Sequence, residues 1–159
     1  MRKLKNEELN RLNIEEFKQA EKLPVSIVLD NIRSMNNIGS AFRTADAFLV
    51  DKIYLTGISA KPPHWDIHKT ALGATESVDW EYHPSTSELI TELSSAGKQI
   101  IAIEQAEEST PLQEFQLKGN VHYVLVIGNE VFGVSDEAME LTDEVIEIPQ
   151  FGTKHSLNI

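Results

Sequence analysis

Residues 124–135 read VLVIGNEVFGVS. The four consecutive apolar residues 124–127 leave no polar face, so the run predicts a strand covered on both sides. Gly128 ends it and a short loop follows. Ser135, with Asp136 and Glu137 behind it, predicts a capped helix over 135–141. Similar apolar runs stand at 26–32, 52–58, 78–82, 99–104, 121–127 and 144–148, each bounded by Gly, Pro, Asn, Asp or Ser. Helical patterns lie between them. In 37–49, Ala41, Ala45, Phe48 and Leu49 share one face; in 85–96, Ser85 and Glu88 form a capping box and Gly97 a stop. Strands buried on both faces and alternating with helices define an α/β protein with a mostly parallel sheet.

The chain has 159 residues, enough for one domain with one sizeable core. The first 24 residues are polar and predict a helical extension, with Asn13 and Glu16 as a capping pair; 25–159 form the main domain. There is no cysteine, which excludes a disulfide framework, a thiol nucleophile and thiolate zinc sites. No stretch approaches the ~20 apolar residues of a membrane span, and MRKLKNEELN has no apolar signal core, so the expectation is a cytoplasmic protein without a membrane partner. The formal net charge is −11, but unevenly spread: residues 1–70 carry 11 Lys/Arg against 9 Asp/Glu, and 71–159 carry 3 against 16. A phosphate-binding surface is therefore expected in the first half.

Ligands of such sheets bind beyond the carboxyl ends of the strands, and three of those ends carry unusual residues. In LDNIRSMNNIGSAFRTADAF (29–48), Asn37 is placed to cap the helix, and Gly39 leaves room beside Arg43 on one face. In VLVIGNEVFGVS, Glu130 sits in a loop that lacks both the Lys-Ser/Thr ending of a P-loop and the middle glycine of the dinucleotide fingerprint. In IEIPQFGTKHSLNI (146–159), Ser156 and Asn158 look like a helix start; His155–Ser156 has no nucleophile elbow to make it a hydrolase. His64 and His68 have no third ligand, and Pro62–Pro63 ahead of them suggest a loop, so no metal is expected. Trp65, Trp80 and Tyr82 are candidates for base stacking, although Trp80 and Tyr82 alternate along a strand and read better as core.

In this order the three motifs are specific. Asn37-Ile-Gly39-Ser-Ala-Phe-Arg43, Ile127-Gly128-Asn129-Glu130-Val-Phe-Gly133 and Ile148-Pro149-Gln-Phe-Gly152 through Ser156-Leu157-Asn158 resemble motifs 1, 2 and 3 of the SpoU family (TrmH-like) of RNA ribose 2′-O-methyltransferases, in the SPOUT superfamily. Lys69-Thr-Ala-Leu-Gly73-Ala74 is similar to a further stretch common there. The resemblance covers 25–159. It implies an α/β fold with a C-terminal trefoil knot, a homodimer, an RNA substrate, and S-adenosylmethionine as methyl donor, leaving S-adenosylhomocysteine; with no large appended RNA-binding domain, a compact target such as tRNA is expected in preference to rRNA. By the same resemblance, Gly128, Ile148 and Leu157 match cofactor contacts, and Asn37, Arg43, Glu130, Ser156 and Asn158 match the catalytic set.

The chemistry fits that set. Alignment of hydroxyl, methyl and sulfur carries much of such a reaction. An always-charged Arg43 suits orienting the hydroxyl or a phosphate better than removing a proton. The RNA face is expected to use Arg2, Lys3, Lys5, Arg11, Arg33 and Arg43, and DNA, lacking the 2′-hydroxyl, to be inert. The family's motif 3 runs on into a helix, whereas this sequence stops at Ile159 within its first turn. Completion of the knot, the cofactor pocket and the dimer depends on that helix. A non-catalytic RNA-binding protein of the same fold is the alternative.

Overall fold

The computed structural model describes residues 1–153 and 156–158. After a short 3-10 turn at Asn6–Leu9 come α1 (Ile14–Gln19), β1 (Leu23–Asp30), α2 (Met35–Ala47) and β2 (Val50–Thr56). Then follow α3 (Trp65–Ala71), α4 (Ala74–Ser77), β3 (Asp79–His83), α5 (Thr86–Ser95) and β4 (Gln99–Ile103). The chain closes with β5 (Thr110–Pro111), a 3-10 turn at Leu112–Glu114, β6 (Tyr123–Ile127), α6 (Asp136–Met139) and β7 (Glu144–Glu147). The strands form one sheet in the order β3-β2-β1-β6-β4-β7-β5. Every neighbouring pair is parallel. No helix is long and apolar enough to cross a membrane, among the described residues.

Helices cover both faces, as the unbroken apolar runs require. Ile27 and Leu29 of β1, with Ile53 and Leu55 of β2, pack under Phe17, Ile38, Phe42 and Ile67 of α1, α2 and α3. The residues between them, Val28 and Tyr54, turn to the other face and meet Leu89 and Ile90 of α5. Fully burying an aromatic such as Phe42 contributes about 2–3 kcal/mol. Phe17 docks α1, in the predicted helical extension, into the same core.

Several local expectations change. The helix expected from Asn37 starts at Met35, and its cap is Ser34, whose Oγ accepts the Asn37 N–H at 3.2 Å. Asn37 is thus inside the first turn, and its side chain is free for another task. The loop expected around His64 and His68 is instead helix α3, with His64 as its cap: Nδ1 accepts the Asp66 N–H at 3.2 Å. Pro62 and Pro63 precede that helix rather than interrupt it. Tyr82, expected in the core, is exposed at the edge strand β3, its hydroxyl donating to the Gly57 carbonyl at 2.9 Å; Trp80 is only half-buried. An edge strand has one neighbour, so its aromatics are covered only in part. Ser156–Asn158 are exposed and non-helical, whereas a helix start was expected; Lys154, His155 and Ile159 lie outside the described residues.

Candidate functional site

β1 is the point at which the sheet reverses its direction of growth. The chain adds β2 and β3 on one side of it, and β6, β4, β7 and β5 fill the other. The loops leaving β1 and β6 therefore diverge at a switch point, where sheets of this kind bind ligands.

Glu130 fills this divide. From the loop after β6 its carboxylate accepts the backbone N–H of Arg33 at 3.0 Å and of Ser34 at 2.9 Å. It also accepts from Asn37 Nδ2 at 3.0 Å. One side chain thus ties the strand-to-helix turn after β1 to the loop after β6. Desolvation works against its ionisation, but the Arg33 and Ser34 N–H groups and the Asn37 amide outweigh it and hold the carboxyl below the usual glutamate range.

Groups not anticipated from the sequence hold this arrangement. Asp30, fully buried at the end of β1, accepts from Asn31 Nδ2 at 2.8 Å, Thr86 Oγ1 at 2.6 Å and the Ser135 N–H at 2.8 Å. Asn129 donates to the Asn31 carbonyl at 2.6 Å, while its Oδ1 accepts the N–H of Val131 and of Phe132. Asn129 and Gly133 close the loop with a pair of backbone hydrogen bonds of 2.8 and 2.9 Å. A Cβ at Gly128 would overlap the Gly133–Val134 backbone, so this turn requires glycine. The polar residue ending β1 and the Asn beside Glu130 were the available signals; the contacts that cross the site, Asp30 to Ser135 and Asn129 to Asn31, span 105 and 98 positions of the chain.

Arg43 lies elsewhere. It is six residues beyond Asn37 on α2, about 9 Å along the axis and roughly a third of a turn around it. It is exposed and lines a cleft of about 460 Å3 with Ser40, Thr44, Phe48, Lys69 and Thr70. The space expected beside it at Gly39 does not exist. A Cβ there would overlap Thr70 Oγ1 and the Ile67 carbonyl, because α3 packs directly on α2 at that point. The structure thus brings Asn37 and Glu130 together, with Gly128 at the end of β6, and places Arg43 in a neighbouring cleft. Ile148 follows β7 and is 39% exposed; Ser156, Leu157 and Asn158 are exposed near the end of the chain. Of the expected RNA-binding cations, Arg2 pairs with Glu8 at 2.6 Å, whereas Lys3, Lys5, Arg11 and Arg33 are exposed. Among the described residues no three His, Cys, Asp or Glu side chains gather as a metal would need.

The parallel α/β fold and the sequence that runs through this site match a known class. Residues 24–159 match the SpoU rRNA methylase family, and the chain belongs to it. It is 28% identical over 152 residues to the 23S rRNA (guanosine-2′-O-)-methyltransferase of Haemophilus ducreyi, covering 96% of this chain and 61% of that one. It is 27% identical over 152 residues to the tRNA (guanosine(18)-2′-O)-methyltransferase of Thermus thermophilus, covering 96% and 76%. The solved AdoMet-bound rRNA methyltransferase from Sinorhizobium meliloti superposes with a TM-score of 0.79 at 26% identity, over 89% of this chain and 54% of that one. The chain thus spans about 60% of the first of these relatives.

Proposed function

We propose that this protein is an S-adenosylmethionine-dependent methyltransferase acting on a ribose 2′-hydroxyl of RNA, with tRNA favoured over rRNA. The observation that carries this reading is Glu130 taking both the Arg33 and Ser34 N–H groups and the Asn37 amide, since it joins motifs 1 and 2 into one site at the switch point. Family membership and relatives named for guanosine 2′-O-methylation support it.

The residues present suit the cofactor. Gly128 and Ile148 stand beyond β6 and β7, on either side of β4, and Ile148 together with Phe132 (84% exposed) offers apolar surface for an adenine ring. Leu157 adds a third apolar group. The cofactor supplies an electrophilic methyl group on a sulfonium. The chain's own task is to hold the ribose oxygen in line with it. Arg43 binds the target nucleotide through its 2′-hydroxyl or adjoining phosphate and stabilises negative charge developing there. Glu130 and Asn37 keep the α2 start in place, while Ser156 and Asn158 orient the loop after β7. A homodimer in the cytoplasm, with no DNA substrate, completes the reading.

The test is transfer of radiolabelled methyl groups from S-adenosylmethionine to unmodified tRNA, rRNA and a DNA of matching sequence, followed by alkaline hydrolysis. Label in alkali-resistant dinucleotides from tRNA is the expected result. Label in base rather than ribose, or none with any RNA, sinks the proposal.

A further inference from the structure

Helix α3 presents residues on two sides, and the mechanism above uses neither fully. On one side Trp65, Ile67 and His68 wall a cavity of about 610 Å3 together with Pro63, Glu76 and Trp80. On the other side Lys69 and Thr70 line the Arg43 cleft. Trp65 is 70% exposed, a large aromatic surface left in water without structural gain. Lys69 connects the two sides. Its Nζ lies 5.7 Å from the Trp65 ring centroid, and its side chain also lines the cleft that holds Arg43. Lys61, next to Pro62 in the chain, places a second ammonium 4.4 Å from the Tyr82 ring centroid.

We infer that the Trp65 cavity is a nucleobase subsite, which takes one unpaired base of the RNA adjacent to the nucleotide held at Arg43. The inference rests on the methyltransferase reading for the identity of the strand. Aromatic faces flanked by cations are how single strands are gripped, with bases on the rings and phosphates on the charges. Lys69 Nζ pairs with Asp66 Oδ1 at 2.8 Å, so a phosphate held at Arg43 shares that ammonium with Asp66 and brings the next base within reach of Trp65. Glu76 sets which part of the nucleotide enters. Its carboxylate has no side-chain partner among the described residues; it repels a phosphate but accepts from the N–H groups of a base. Guanine offers two such donors on one edge and uracil one, so guanine is the preferred base. His64 uses Nδ1 to cap α3, so its neutral ring carries the proton on Nε2, a donor for a base carbonyl.

The test takes the emission of Trp65 as the difference between the native 159-residue chain and W65F, since Trp80 walls the same cavity and is left in place. That difference is followed during titration with unmodified tRNA, a guanine-containing single-stranded RNA, oligouridylate, and heparin as a polyanion without bases. Saturable quenching by tRNA, stronger with the guanine-containing strand than with oligouridylate and absent with heparin, is expected. In the otherwise native chain, W65A should weaken RNA binding roughly tenfold or more, W65F should restore most of it, and cofactor affinity should not move. Unchanged Trp65 emission at saturating RNA, equal quenching by heparin, or parent-like RNA binding by W65A overturns the subsite. Quenching by RNA without any methyl transfer leaves the subsite standing and removes the methyltransferase reading instead.

Discussion

Glu130 and Arg43 divide the work between holding the site and using it, and the two are separable by substitution. Glu130→Gln keeps the shape but surrenders the charge that the Arg33 and Ser34 N–H groups face. Because the residue is partly open to water, the expected loss is only about 1 kcal/mol in urea unfolding. Methyl transfer should fall further than stability, since the α2 start shifts. The pH dependence has a definite sign. The folded carboxyl is held below its ordinary value, so its stabilisation is present above the ordinary glutamate range and lost as pH falls through the folded value. Urea midpoints measured from pH 7 down to pH 3 should drop less steeply in Glu130→Gln than in the parent. Arg43→Ala, by contrast, should cut turnover by ~10²-fold or more while calorimetry finds cofactor affinity nearly unchanged, and Arg43→Lys should recover little. Both residues were legible in the sequence, Glu130 as a charged group in the loop after a strand and Arg43 as a helix residue on the face of Gly39. That Glu130 grips backbone N–H groups was not, because its partners lie 96 and 97 positions away.

The helices and strands differ in how much of their placement the local sequence carries. β1, β2, β4 and β6 were readable because their buried runs leave no face for water, whereas β3 and β7, with polar and partly exposed residues, were readable only from the turn residues that bound them. β5 was not: it has two residues, one of them proline, and exists only because β7 offers an edge. Helix α3 was hidden behind Pro62–Pro63, since prolines before a helix and prolines within a loop look alike locally. Gly39 marks where α2 and α3 touch, and Gly39→Ala tests that contact. Alanine is the better helix former by ~1 kcal/mol, so an open surface would predict stabilisation. The overlap with Thr70 and the Ile67 carbonyl predicts the reverse, a net loss of about 1–3 kcal/mol in urea unfolding. β1 and β6 are joined at their starts by His122, whose Nε2 lies 2.8 Å from Ser26 Oγ. Burial and then the Lys98 charge hold His122 below its ordinary value of 6.5, against Asp51. The folded state therefore binds this proton less readily than the unfolded chain. The stability concerned is full above the ordinary value and lost as pH falls toward the lower folded one. Urea midpoints should decline between about pH 7.5 and pH 5.5, and His122→Gln should flatten that decline.

Across the whole molecule, β6 is laid between β1 and β4 after both have been made. A ribosome adding about 5–20 residues per second emits β1 several seconds before β6 emerges, some ninety residues later. During that interval the nascent chain can pair β1 with β2 and β2 with β3, all three close in sequence, but the other flank of β1 is a bare edge of unpaired backbone groups. Val28 and Leu29, fully covered in the finished protein, would stand at that edge. Pulse-labelled hydrogen exchange during refolding should therefore protect the amides shared by β1, β2 and β3 before those of β6 and β4. Simultaneous protection of all five strands would show that the sheet closes in one step. The late insertion also makes the half-made chain a natural client for a chaperone: β1, whose last five residues are all buried in the finished protein, waits longest for its second neighbour.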